Sequence, residues 1–279
     1  MGDISVHLKN LHARYAISAD WILRNITLGV RKGEMLVLMG PSGCGKSTLL
    51  YVVAGLLPWV IPGVVKGEIL VEGINVVEDG YKGLIGQVGI VFQNPEMQVI
   101  AQSVYEELSM IPENIGLPKD EVIERVEWVV NALDLSRYLT KNPQSLSGGE
   151  KQLLAIASVL TMRPKVLLLD EPTSMLDHRG TQLVLDTVSL LKREHGLTIV
   201  AAEHKVEWAV EVADRISVMH EGSIVLEGEP EELFSRVEEI EKYGVRPPGA
   251  SEVAYELRRA GIKTPIPVRL NDALRVYGL

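Results

Sequence analysis

The chain has one cysteine among its 279 residues, Cys44, so it can form no internal disulfide and no cysteine-built zinc site. A reducing compartment is the default that follows. Aromatics are scarce, at 5% with only two Phe, so the core must be aliphatic. Positive charge is in deficit: 28 Lys and Arg against 37 Asp and Glu leave a net charge of −9. Proteins that grip nucleic acid through their bulk field are usually basic, so no nucleic-acid partner is expected. The first ten residues carry charges and no apolar core, which does not read as a secretory signal. Residues 47–65 lack any charge and are long enough for a short membrane span. Gly55, Pro58, Pro62 and Gly63 interrupt them, and the expectation is a buried helix followed by a turn-rich loop. What is present is an ordinary globular balance, 46% hydrophobic and 23% charged, which excludes wholesale disorder.

Residues 4–8 and 26–30 alternate apolar and polar side chains, as strands do. MLVLM at 35–39 and VLLL at 166–169 are short, wholly apolar runs, the mark of strands buried on both faces of a sheet. The first run leads into a glycine-rich loop and then an expected helix over 46–57. Further strands are expected over 66–73, 87–92 and 197–202, a helix over 183–194, and a hairpin over 215–227 turning at Glu221-Gly222. After Phe92 the pattern changes. Residues 94–163 read as mostly helical, with Val122, Val126, Val129 and Val130 at helical spacing and breaks at Pro112, Pro118 and Pro143. At the end of the chain, 230–243 and 251–260 read as two amphipathic helices parted by Pro247-Pro248-Gly249. The expected fold class is α/β, with a mainly parallel sheet, an antiparallel β subdomain at the N-terminus and an inserted helical subdomain over about 94–163. Residues 1–228 form the main domain in this reading, and 229–279 a small helical extension.

Three motifs carry chemistry. Gly40, Pro41, Ser42, Gly43, Cys44, Gly45, Lys46 and Ser47, with Thr48 after them, fit G-x-x-x-x-G-K-[ST]. Glycines let the backbone fold into a nest of N–H groups facing phosphate oxygens, and the helix that follows adds its dipole. Lys46 places a point charge between β- and γ-phosphates, and Ser47 offers a hydroxyl to Mg²⁺. Cys44 reads as a small loop residue. At the end of the second apolar strand, Asp170 and Glu171 precede Pro172. In a parallel sheet that end opens on the ligand crevice. Asp170 can hold Mg²⁺ directly or through water, and Glu171 can orient or deprotonate an attacking water. The third motif is LSGGE at 146–150. Ser147 and Glu150 have capping-box spacing, and Ser147, Gly148 and Gly149 could equally present N–H groups to an anion at a helix start.

A phosphate loop, then LSGGE, then LLLDEP, in that order, resembles the ATP-binding cassette ATPases over residues 4–228. The resemblance implies a P-loop NTPase core with ATP and Mg²⁺ as cofactors. It implies an aromatic stacking on adenine at Tyr15, a Mg²⁺-touching glutamine at Gln93, an inter-monomer loop ending at Asp177, and a γ-phosphate contact at His204. Surface packing for Tyr15, and ordinary polar roles for Gln93, Asp177 and His204, are the plain alternatives. Met175 and Leu153 depart from the family's usual glycine and basic residue. FQNPEMQ at 92–98, PENIGLP at 112–118 and Glu203-His204 are similar to the ATPase subunits of energy-coupling-factor transporters, importers of vitamins and of cobalt or nickel. That narrower resemblance implies a transmembrane subunit docking near residues 93–108, with Glu96, Glu106 and Glu107 as an acidic lip. It also implies a second ATPase subunit, a copy or a paralogue, whose Ser147, Gly148 and Gly149 face Lys46, Ser47, Gln93, Asp170, Glu171 and His204. The chain would then lie on the cytoplasmic face of the membrane, held there through protein only. The other reading is a soluble cassette ATPase acting on nucleic acid or in Fe–S cluster assembly.

Overall fold

A computed structural model describes residues 3–278. Strands β1 (Ile4–Tyr15) and β2 (Leu23–Arg31) open an antiparallel sheet. Strand β3 (Met35–Met39) crosses into a second sheet, and the glycine loop leads from it to helix α1 (Lys46–Val53). Strands β4 (Gly63–Val71) and β5 (Ile74–Asn75) return to the first sheet, in the order β2-β1-β4-β5. Helix α2 (Val76–Leu84) then leads to β6 (Val88–Val91) at the edge of the second sheet.

The helical insertion follows: α3 (Val104–Asn114), α4 (Lys119–Ala132) and α5 (Gly148–Leu160). The chain re-enters the sheet as β7 (Val166–Asp170), leaves through α6 (His178–His195) and returns as β8 (Thr198–Ala202). Helix α7 (Val206–Val212) precedes the hairpin of β9 (Arg215–His220) and β10 (Ser223–Gly228). The second sheet runs β10-β9-β3-β8-β7-β6, parallel throughout except for β10 against β9. Four short helices end the chain: α8 (Pro230–Phe234), α9 (Val237–Glu241), α10 (Gly249–Arg259) and α11 (Leu270–Tyr277).

The sheet's apolar runs explain its two-sided core. Along β3, Met35, Val37 and Met39 join one apolar cluster with the helical insertion, while Leu36 and Leu38 join another with α1 and the antiparallel sheet. Every residue of β3, β7 and β8 is buried, as strands covered on both faces require.

Several local expectations need correction. Helix α1 stops at Val53 instead of Leu57, because Gly55 turns at φ 69° close against Tyr81 and Leu84. Pro112 does not break its helix; it sits in the last turn of α3, which runs on to Asn114. Pro118 caps α4 and Pro143 opens a single 3-10 turn. The helix expected over 230–243 is two, parted at Ser235–Arg236, and α2, α7 and α11 went unread. Phe234, Ile240 and Val268 of the C-terminal segment are buried in the same cluster as Val37 and Leu169. Among the described residues no helix is long and apolar enough to cross a membrane.

Candidate nucleotide and catalytic site

The glycine loop is shaped by positions that admit no side chain. A Cβ on Gly40 would lie 2.1 Å from the Met219 carbonyl oxygen, and Gly45 takes φ 109° as it caps α1. Gly45 has no side chain to cap the helix, so the first N–H groups of α1 stay available to an anion. Lys46 is buried, and its ammonium donates to the carbonyls of Gly40 (2.9 Å) and Pro41 (3.2 Å). Ser42 and Gly43 form the exposed tip. Cys44 is buried beside Lys46, and burial pushes its thiol above the ordinary cysteine value, which suits an inert loop residue.

Next to the loop stands Asp170, at the end of β7 and 2% exposed. It accepts hydrogen bonds from Ser47 Oγ (2.8 Å) and the Tyr51 hydroxyl (3.2 Å). Burial holds its carboxyl above the ordinary aspartate value, against the pull of those two donors. Tyr51 was missed by the sequence reading, although it lies four residues after Ser47 on the same helix face. Burial and Asp170 push its hydroxyl up to about 12. Ser47 and Asp170 together give two oxygen ligands of the kind Mg²⁺ takes, so the residues fit that ion. Among the described residues no group of three or more His, Cys, Asp or Glu could hold a metal alone. Tyr15 reaches the same helix through its hydroxyl, 3.1 Å from Thr48 Oγ1.

Three adjacent parallel strands deliver the next group. Gln93 follows β6, Glu171 follows β7 and His204 follows β8, all at the carboxyl ends. Glu171 adopts φ 46° and its N–H donates to the Ala202 carbonyl, which turns it out of the strand. Its carboxylate accepts from Gln93 Nε2 at 2.7 Å and pairs with His204 Nε2 at 2.9 Å. Gln93 is therefore bonded to Glu171 rather than to Ser47 or Asp170. Glu203 was noticed in the sequence without a role. It is buried and accepts from Thr173 Oγ1 (2.7 Å) and from the N–H groups of His204 (2.7 Å) and Lys205 (3.1 Å), which fixes the His204 backbone.

Ser147, Gly148, Gly149 and Asp177 lie elsewhere, around a cleft of about 570 Å³ lined by none of residues 40–48. Ser147 and Glu150 do form a capping box at the start of α5. Asp177 caps α6 by accepting from the Gly180 N–H at 2.8 Å. Gly149 and Gly180 bring the two helices together: a Cβ on Gly149 would lie 2.6 Å from Gly180 Cα.

Of the three carboxylates expected as an acidic lip beside residues 93–108, Glu96 and Glu106 are exposed and Glu107 is not. Glu107 is buried and accepts from the N–H groups of Ile100 and Ala101. Glu96 is paired with Lys151 at 2.6 Å, and Glu106 caps α3. Beside the exposed Glu96 and Glu106 the segment exposes three large apolar side chains, Met97, Ile100 and Tyr105.

Comparison with known proteins agrees with this geometry. Residues 23–174 match the ABC transporter family. A putative ABC transporter ATP-binding protein of Pyrococcus abyssi is 44% identical, with 92% of each chain covered. The energy-coupling factor transporter ATP-binding protein EcfA1 of Clostridium novyi is 41% identical over 94% of this chain and 93% of that one. Among solved structures, cbiO1 from Clostridium perfringens, part of the ABC transporter complex cbiONQ, superposes with a TM-score of 0.76 at 32% identity, covering 93% of this chain and 98% of that one. A dimeric ATP-binding cassette in a post-hydrolysis state, bound to ADP and Pi, gives a TM-score of 0.68 at 26% identity over 80% of this chain and 98% of that one. The chain thus belongs to the ABC transporter ATPase family, as an ATP-binding, ATP-hydrolysing subunit.

Proposed function

We propose that the chain powers an energy-coupling-factor type importer of a vitamin or of cobalt or nickel, as one half of an ATP-closed dimer. The observation that carries this reading is the Gln93–Glu171 hydrogen bond. It ties the candidate base to the segment that exposes Met97, Ile100 and Tyr105 four to twelve residues on. A helix of a transmembrane subunit seated on that apolar segment would reach the catalytic carboxylate through one residue.

In this reading residues 40–48 wrap the phosphates, and Lys46 exchanges its two carbonyl partners for phosphate oxygens. Tyr15 supports the nucleobase side. Ser47 and Asp170 would hold Mg²⁺, joined by Gln93 on release from Glu171, and the ion would supply charge neutralisation at the phosphates. Glu171 accepts a proton as water attacks the γ-phosphorus and the bond to the β–γ bridging oxygen breaks. His204, fixed by Glu203, orients Glu171 and touches the γ-phosphate. The cleft of Ser147, Gly148, Gly149 and Asp177 stands apart from residues 40–48, and it serves the nucleotide of a second subunit, copy or paralogue. Residues 1–228 act as the ATPase domain, and 229–279 as an extension packed on it. The net charge of −9 disfavours direct contact with anionic lipid, so the chain reaches the cytoplasmic face of the membrane through its protein partner.

Tagged purification from gently solubilised native membranes, followed by mass spectrometry, tests this. A polytopic membrane protein in stoichiometric amount is the expected result. Recovery only with soluble proteins or nucleic acid would move the function to a soluble cassette ATPase.

A further inference from the structure

The Asp170 carboxylate is buried, and a buried carboxylate keeps its orientation through the donors that meet it. Among the described residues two side chains donate to it, one on each oxygen. Ser47 Oγ donates to Oδ1 at 2.8 Å and the Tyr51 hydroxyl to Oδ2 at 3.2 Å. Ser47 is one of the two oxygen groups that fit Mg²⁺, so its oxygen is committed to the ion. Tyr51 is the donor left as a support. Its ring is braced in turn: it meets Phe92 edge-on, with ring centres 6.0 Å apart and planes at 67°. Phe92 follows β6, the strand beside β7, and its N–H donates to Gln98 Oε1 at 3.1 Å. Gln98 Nε2 donates back to the Ile90 carbonyl at 3.3 Å. The hydroxyl thus reaches Asp170 from a ring packed on a pinned neighbour. A phenylalanine would fill the same place against Phe92, so packing alone gives no use to the hydroxyl.

We infer that Tyr51 is a positioning residue for the divalent cation: by holding Oδ2 of Asp170 it keeps Oδ1 turned toward Ser47, so that both oxygens are presented to one ion. The inference rests on the reading above that Ser47 and Asp170 hold Mg²⁺. It adds that affinity for the ion is set in part by a residue outside the ligand set, because hydrogen-bond partners orient the carboxylates that ligate metals. Without the hydroxyl, Oδ2 becomes a buried acceptor with no side-chain donor, and the carboxylate turns toward the donor that remains. Nucleotide bound by residues 40–48 in the absence of the ion does not depend on that orientation.

The test compares the full chain with Tyr51→Phe, Asp170→Asn and the double variant. Tyr51→Phe keeps the ring on Phe92 and removes only the hydroxyl, so the packing is kept. A fluorescent, non-hydrolysable ATP analogue titrated in EDTA reads nucleotide affinity without the ion. Mn²⁺ then replaces Mg²⁺ as the probe, and electron paramagnetic resonance of free Mn²⁺ reads its affinity for the analogue-loaded chain. The chain is kept in excess over the analogue, so that no free nucleotide competes for the ion. Tyr51→Phe should bind the analogue in EDTA as the unaltered chain does, and Mn²⁺ roughly tenfold more weakly. Asp170→Asn should also weaken Mn²⁺, and adding Tyr51→Phe to it should cost nothing more, because Tyr51 acts through that carboxylate. Unchanged Mn²⁺ affinity in Tyr51→Phe overturns the inference. So does an equal loss in EDTA, which would make Tyr51 a support of the glycine loop, and so do losses that add in the double variant. Asp170→Asn binding Mn²⁺ as tightly as the unaltered chain overturns the Mg²⁺ reading itself, and this inference with it.

Discussion

The two groups of candidate site residues are held in opposite ways. On the catalytic face the bonds are long-range: Ser47 to Asp170, Tyr51 to Asp170, Gln93 to Glu171, His204 to Glu171. All four meet at the end of β7, two from α1 and one each from the ends of β6 and β8, and Lys46 and Asp170 are buried. Around the signature cleft the bonds are local: Ser147 with Glu150 and Asp177 with Gly180, each three residues apart, and Ser147 and Gly148 are exposed. The catalytic face depends on the whole parallel sheet, so it is assembled before nucleotide arrives. The cleft depends on the first turns of α5, in the helical insertion, and of α6, which follows β7, where Gly149 packs against Gly180.

The largest effect should come from the catalytic face. Glu171→Gln keeps an acceptor for Gln93 and removes the base, so ATP hydrolysis should fall roughly 10²–10⁴-fold while nucleotide still binds. Lys46→Ala should instead weaken nucleotide affinity itself. Steady-state phosphate release and a fluorescent nucleotide titration separate the two. Turnover at the unaltered rate in Glu171→Gln would remove that residue as base.

A smaller effect is expected in the cleft, and it comes through packing. Gly149→Ala puts a Cβ 2.6 Å from the Gly180 backbone, so α5 and α6 must part, at a cost of about 1–3 kcal/mol. Gly148→Ala meets only the end of Leu176 at 3.4 Å and should melt close to the unaltered chain. Thermal unfolding of the two variants compares them directly. Equal melting temperatures would mean the cleft is looser than its two glycines imply.

The sequence showed the catalytic face more clearly than anything around it, for a physical reason. Residues 40–48, Asp170 and Glu171 are local strings whose types and spacing follow from phosphate chemistry, and β3 and β7 announce themselves as wholly apolar runs. Tyr51 and Glu203 went without roles because their importance lies in partners 119 and 30 residues away, at Asp170 and Thr173. One member of the acidic lip, Glu107, was misplaced on the same ground: spacing shows that it is on a helix, but only packing shows it turned inward to Ile100 and Ala101. The capping box of Ser147 and Glu150 was legible in full because it closes within four residues. Helix ends were misplaced wherever a glycine turn or a proline in a last turn overrode the apolar pattern, as at Gly55 and Pro112.

The smallest effect separates the halves by the direction in which their carboxyls titrate. Asp170 is raised by burial, so its ionised form is penalised in the fold, and acidification relieves that penalty. Glu150 is lowered, first by the Tyr138 hydroxyl and then by the Ser147 backbone, so its ionised form is favoured in the fold. The stability Glu150 contributes is present above its unfolded value and is lost as pH falls through the lower folded value. That loss should begin below about pH 4.3. Tyr138→Phe removes the main cause, so melting temperatures of this variant should fall less steeply with acidification than those of the unaltered chain. Parallel curves would mean that Tyr138 does not hold Glu150, and the cleft would then present a free carboxylate beside Arg137.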